Sequence, residues 1–338
     1  MNDKCYFPEL DATKGIAIIL MILGHCIQLS YVSDEGFFEN IVFKLIYSFH
    51  MPLFMIISGF LFAGTVERKS LLQIIYSKVT NILFPILIWN FIVNGKYYLL
   101  DKGGGVTKIK DFLYGCLCSF WFLWAVLFCS LVMAIIFKCI KNHWIQMLCI
   151  LLGLIFTFIT PDIINSECYK FMYPCFVFGY YMRDYYSKVP PMNERRMLIV
   201  LALVFMILFV FYRRDAYIYI GKWALLGTIE KSKILMWDIY RTLIGIIGSV
   251  CVILAVRQIH GLCKSILLRD IGKLSIGIYI ISMYMNIILR QISLHYHVGW
   301  ELIIAETIIV LLCSYTISKI LSLNKYTSLL LGKTRGNR

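Results

Sequence analysis

Lys14 and His25 stand eleven residues apart in the first long apolar stretch of the chain, Asp11-Ala-Thr-Lys14-Gly15-Ile-Ala-Ile-Ile-Leu-Met-Ile-Leu-Gly24-His25. Eleven helical steps of about 100° come to roughly 1,100°, within about 20° of three turns. One helix face therefore carries both residues, about 16 Å apart along the axis. Ionisable side chains in hydrocarbon are costly and turn toward a bundle interior or a water-filled cavity. An imidazole, with an unperturbed pKa of about 6.5, suits a general base near neutral pH. An ammonium in the same cavity can stabilise a developing oxyanion or hold a phosphate. Asp11, one turn before Lys14, is placed to neutralise it.

The next apolar stretch contains Ser48-Phe49-His50-Met51-Pro52-Leu53-Phe54 and Ile57-Ser58-Gly59-Phe60. His50 falls near mid-membrane. Pro52 removes a backbone donor, so an unwound or kinked helix is expected there, turning carbonyls toward a cavity. Glu39, eleven residues before His50, is expected on the same face near the outer surface. Two histidines at similar depth in neighbouring helices read better as a shared site than as two separately packed rings. Lys78, at the start of the third stretch, either snorkels to the interface or binds the anionic groups of a cytoplasmic cofactor. Asp238 and Arg241 form an i,i+3 pair, either structural or lining an outer cavity with Trp237 and Tyr240. His295 and His297 alternate as in an extended loop and lack a third ligand, so no metal site is expected.

Such residues need apolar helices to hold them. Of 338 residues, 60% are hydrophobic and 15% charged, with a mean hydropathy of +0.78, whereas soluble domains carry about 25% charged residues. Windows of about 20 apolar residues, enough to cross a bilayer, recur near 12–32, 41–63, 79–100, 119–137, 144–160, 169–183, 196–212, 235–256, 274–292 and 300–322. The net charge of +14 is spread between these windows and forms no single patch, which argues against nucleic acid. It suits topology determinants and lipid-headgroup contacts.

With the N-terminus cytoplasmic, the inner segments hold 19 Lys/Arg: one at Lys4, three in 64–78, two in 138–141, four in 183–196, four in 257–273 and five after 318. The outer segments hold 11, and Lys14, Lys44 and Arg241 lie within spans, which accounts for all 33. The positive-inside rule then favours ten spans with both termini in the cytoplasm. The expected fold is thus an all-α polytopic membrane protein of about ten transmembrane helices, with residues 1–338 forming a single membrane domain. Most of the twelve Cys lie in apolar stretches, as small hydrophobes do, without metal-ligand spacing. No removable signal peptide is read at the N-terminus. Two outer segments, 96–118 and 213–233, are either solvated loops or caps that re-enter the bundle. No internal repeat of the kind found in many transporters is visible.

The motifs taken in order resemble the acyltransferase 3 family of integral-membrane O-acyltransferases. Lys14-x10-His25 is similar to the family's Arg-x10-His, and Phe49-His-Met-Pro-Leu-Phe54 with Ser58-Gly-Phe60 to its second-span pattern. Lys78, Pro85 and Trp89 resemble the third-span pattern, and Trp121-Phe-Leu123 the fourth-span signature. Phe178-Gly-Tyr180 with Arg183 resembles a later motif, and Gly272-Lys-Leu-Ser-Ile-Gly-Ile-Tyr279 the penultimate-span motif. The likeness runs nearly the full length, and Asp11-x-x-Lys-Gly-Ile16 is most similar to the fucose 4-O-acetylase-like branch. The chain departs in two places: Lys14 replaces Arg, losing the planar fork that grips phosphate, and Ser282 stands where many members carry His.

The resemblance implies an acyl-CoA co-substrate, most simply acetyl-CoA, from the cytoplasm and a sugar hydroxyl of a surface polysaccharide or lipid-linked glycan as acceptor. No bound cofactor and no metal are implied. His25 would be the general base, and Lys14 would support it or hold a donor phosphate with Lys78. His50 would orient the acceptor or relay the acyl group, and Glu39, Trp121, Asp238 and Arg241 would contact the substrate. The implied location is a cell membrane, in bacteria the inner one, with lipids as neighbours. A transporter or flippase relaying protons through Lys14, His25 and His50 is the reading of another class.

Overall fold

Helices alone build the described residues of the computed structural model, which are 6–31, 36–100, 105–159, 166–186, 188, 190–218, 231–293 and 299–332. Pro8 opens α1 (Pro8–Leu29), with Glu9 and Asp11 in a first turn that suits proline and acidic side chains. Asn40 caps α2 (Ile41–Arg68) by accepting hydrogen bonds from the Val42 and Phe43 amides at 3.0 and 3.1 Å. A capping box of Ser70 and Gln73 starts α3 (Leu71–Lys78), which passes through a π-helical turn at Val79–Leu83 into α4 (Phe84–Leu100). Then follow α5 (Gly105–Cys118), α6 (Trp121–Cys139), α7 (His143–Ile159), α8 (Ser166–Tyr186), α9 (Pro191–Val210) and α10 (Lys231–Gln258). The short α11 (His260–Lys264) and α12 (Ile266–Lys273) lead into α13 (Ser275–Ser293) and α14 (Trp300–Leu323).

Six of these helical runs are long and apolar enough to cross a membrane, or seven if α12 and α13, bent by 75° at Leu274, form one broken span. The ten apolar windows all fall largely on helix, but not all qualify as spans. Among the shortfalls, α7 has only 17 residues. In sequence α8 carries Glu167, Lys170, Arg183 and Asp184, and α9 opens on Glu194-Arg195-Arg196. On the outer helices, exposed Leu151 and Phe156 of α7, Ile199 and Val210 of α9 and Ile308 and Leu312 of α14 present an apolar belt suited to acyl chains.

The centre is α2, which packs on α8, α10 and α1, while α1 also lies against α12. Two of these contacts depend on glycine. A Cβ on Gly272 would stand 1.8 Å from the Asp11 carbonyl oxygen, and one on Gly179 2.0 Å from that of Ile56, so only glycine lets the backbones meet. The first of these contacts fixes Lys14 and Lys273 on neighbouring helices. Pro52 does not unwind α2, which runs unbroken from Ile41 to Arg68. Beside it Ser249 of α10 donates to the Phe49 carbonyl at 3.2 Å. Gly245 gives the proline ring room. The expected unwinding is thus absent, and α2 passes Pro52 as continuous helix packed against α10.

Candidate active site

Lys14, Ile18 and Met21 lie along one stripe of α1 and line a cavity of about 210 Å³. His25 is the next residue on that stripe, by the helical spacing. Opposite stand Ser58 and Phe54 of α2, Phe122 and Leu123 of α6, and Lys273, Ser275, Ile276 and Tyr279 from the bend between α12 and α13. The cationic end holds Lys14 and Lys273, with the opening turn of α13 beside them. The other end is apolar and closes on Met21, Met51, Phe54 and Tyr279. Lys14 is bound to Asp11 at 2.7 Å, as their spacing suggests. The entry of α6 is locked by Phe120, whose φ of 50° is rare for a bulky side chain. Phe120 sits edge-on to Tyr279 and Tyr284, at 6.0 and 5.6 Å between centroids. That cap aims Phe122 and Leu123 into the cavity, whereas the neighbouring indole of Trp121 is not part of its lining.

Neither histidine lines this cavity. His50 is buried, and its Nδ1 donates to the Ile46 carbonyl at 2.9 Å. That bond puts the proton on Nδ1 and leaves the lone pair on Nε2. His25 lies beside it with one side chain between them. The Tyr47 ring stands 4.6 Å from His50 and 6.3 Å from His25, centroid to centroid. His25 Nδ1 is 3.3 Å from Gln28 Oε1 and 3.4 Å from the Tyr47 hydroxyl. Donation to Gln28 gives His25 the same tautomer, with a basic Nε2.

His50 lines a second, water-sized cavity of about 20 Å³ together with Tyr47, Ser48, Tyr212, Tyr217 and Arg241. Met51 lines both cavities, so its side chain is a shared wall. The expected pair of Asp238 and Arg241 is present at 3.2 Å with both side chains buried. Arg241 faces the small cavity, whereas Asp238 is not in its lining. Tyr240 is turned away, donating to the Leu208 carbonyl at 2.8 Å.

Two other expected site residues stand apart. Glu39 ends a 3-10 turn, Gly36–Glu39, before α2 begins, so helical spacing does not relate it to His50. Its carboxylate is 83% exposed and pairs with Lys44 at 3.2 Å. Lys78 lies over the Phe62 ring at 5.7 Å and is outside the larger cavity's lining. His295 and His297 lie outside the described residues.

Residues not singled out from sequence complete the site. Tyr217 is 1% exposed, with its hydroxyl unpaired among the described residues, on a segment, 213–218, that packs into the bundle. Of the two readings of that outer segment, the cap describes its first part; 219–230 lie outside the described residues. The segment 96–118 is helical where it is described, as the end of α4 and as α5; 101–104 lie outside the described residues. Lys273 lies in the Gly272-to-Tyr279 motif, and the break at Leu274, where a helix restarts beside it, brings it to this cavity.

A family model described as an acyltransferase domain matches residues 7–322. A stretch of 120 residues is 42% identical to nodulation protein NolL of Sinorhizobium fredii and covers 35% of this chain and 33% of that protein. The corresponding match to nodulation protein NolL of Mesorhizobium japonicum is 38% identical over 120 residues, 35% of this chain and 32% of that protein. The match thus spans about a third of the length of these curated relatives. No solved structure matches the chain.

Proposed function

Because the chain belongs to the acyltransferase 3 family, with residues 7–322 matching its domain, we propose that it is a membrane O-acyltransferase moving an acetyl group from cytoplasmic acetyl-CoA to a sugar hydroxyl of a surface polysaccharide or lipid-linked glycan. The observation that carries this reading is the cavity of about 210 Å³, cationic at one end and closed at the other by Met51, behind which His50 stands. A thioester on a long, phosphate-bearing carrier fits such a shape. Lys14 and Lys273 meet the phosphates, helped by the amides that open α13. The apolar passage takes the carrier's arm and delivers the thioester toward Met51.

The acceptor hydroxyl approaches from the His50 side, near Arg241 and Tyr217. His25 Nε2 takes its proton as the oxygen forms a bond to the thioester carbonyl carbon. The carbon–sulfur bond then breaks, and the proton passes to the departing thiolate. Lys14 and Lys78 remain the donor-side candidates, and Glu39, Trp121, Asp238 and Arg241 the acceptor-side ones; among these, Lys14 and Arg241 have cavity positions suited to the role. Purified protein given labelled acetyl-CoA and a glycan acceptor should move label to the glycan. No transfer, together with glycan or ion movement across vesicles, would favour the transporter reading.

The same proposal holds residues 1–338 to be one membrane domain of ten spans with both termini in the cytoplasm, in the cell membrane. Reporter fusions at Gly104 and Lys188 should report outside and inside respectively. The reverse pattern would put Lys14 on the wrong side for a cytoplasmic donor.

A further inference from the structure

A cavity of about 340 Å³ lies away from this site, between the last turns of α8 and α10 and the first turns of α9. Met182 of α8, Met197 of α9 and Val250 and Leu254 of α10 form its walls. α9 packs on α10 and makes few close contacts with α8, which leaves the cavity partly open along the α8–α9 side. Its other end is polar. Arg257 binds the buried Glu194 at 2.7 Å and lies 4.3 Å from the centre of the Tyr186 ring. Lys188 stands over the Tyr185 ring at 5.6 Å, and Arg195 and Arg196 are exposed on the turn that carries Glu194. Asp184 is the exposed acid nearby, so cations prevail at this rim.

Water does not fill an apolar cavity, and a dry one leaves its lining without dispersion partners. In a bilayer the medium available at a lateral opening is an acyl chain. The cationic rim selects which lipid, because juxtamembrane Lys and Arg favour anionic headgroups. In the orientation proposed above, this end of α8 and α10 faces the cytoplasm. We propose that the slot binds one acyl chain of an anionic phospholipid of the cytoplasmic leaflet, with its phosphate beside Arg257 and Lys188 and in the field of the exposed Arg195 and Arg196 on the same turn of α9. The inference uses that orientation but not the proposed chemistry, so a failed acyl-transfer assay leaves it standing.

The test is native mass spectrometry of the full chain, purified in detergent and exposed to equal amounts of phosphatidylglycerol and phosphatidylcholine. The wild type should retain one phosphatidylglycerol in preference to phosphatidylcholine by at least about fivefold, the preference that roughly one basic residue gives. Met182→Trp and Met197→Trp fill the slot from opposite walls, and each should lose the retained lipid. If one of them fails to give monodisperse protein, the other decides. Arg195→Ala combined with Arg196→Ala should keep a lipid but lose the preference. Equal retention of the two lipids by the wild type, or undiminished phosphatidylglycerol in a folded Trp variant, would overturn the proposal.

Discussion

His25→Ala is expected to lower acetyl transfer by a factor of roughly 10² to 10⁴, the range typical of a lost acid–base group, while the amount of protein in the membrane stays near wild type. The ring is only partly buried, and its polar contacts are the long ones to Gln28 and Tyr47, at 3.3 and 3.4 Å. Removing it therefore disturbs little packing. His50→Ala makes a useful contrast: that ring is buried and holds the Ile46 carbonyl, so its loss combines a chemical effect with a structural one. The measurement is label transfer from acetyl-CoA in membranes, normalised to protein by immunoblot. Transfer near the wild-type rate by His25→Ala would make His25 a packing residue and end the proposed mechanism.

Lys14 should separate enzyme from transporter. Lys14→Ala removes a charge-assisted contact to a donor phosphate, worth about 1.5–3 kcal/mol, and should raise KM for acetyl-CoA roughly 10- to 100-fold with a smaller change for the acceptor. It also leaves Asp11 without its partner at 2.7 Å, so expression must be checked in parallel. Lys14→Arg keeps the charge and should retain substantial transfer. A proton-relay lysine behaves otherwise, because an arginine that cannot release its proton would abolish function as thoroughly as alanine. Inactive Lys14→Arg, with no label transfer by the wild type, would favour the transporter.

The helical fold and the family were legible because both reside in local patterns. Apolar windows of about 20 residues mark helices, and the spacing from Lys14 through Ile18 and Met21 to His25 marks one face of α1. What sequence did not give was the relation between elements. The spacing argument for Glu39 assumed that α2 already runs through it, but the chain turns at Gly36–Glu39 and the helix begins at Ile41. Pro52 signalled a break, yet α2 runs through it unbroken, with Gly245, nearly 200 residues away, leaving room for the ring. The large share of the chain that is helical did not by itself settle how many helices are apolar enough to span. Tyr217 and Lys273 reach their cavities only through tertiary packing, which no local periodicity reports.

The single layer of side chain at Met51, shared by both cavities, has an electrical consequence. A membrane voltage drops mainly where water is excluded, and one elementary charge moved through 100 mV changes energy by about 2.3 kcal/mol. If donor and acceptor come from opposite faces, the proton released on the acceptor side of Met51 crosses part of that drop on its way to the cytoplasmic thiolate. An inside-negative potential pulls that proton inward, so acetyl transfer in vesicles polarised with potassium and valinomycin is expected to speed up, by at most roughly 40-fold for a complete crossing at 100 mV. A rate indifferent to the applied potential would instead bring both substrates to the same side of Met51.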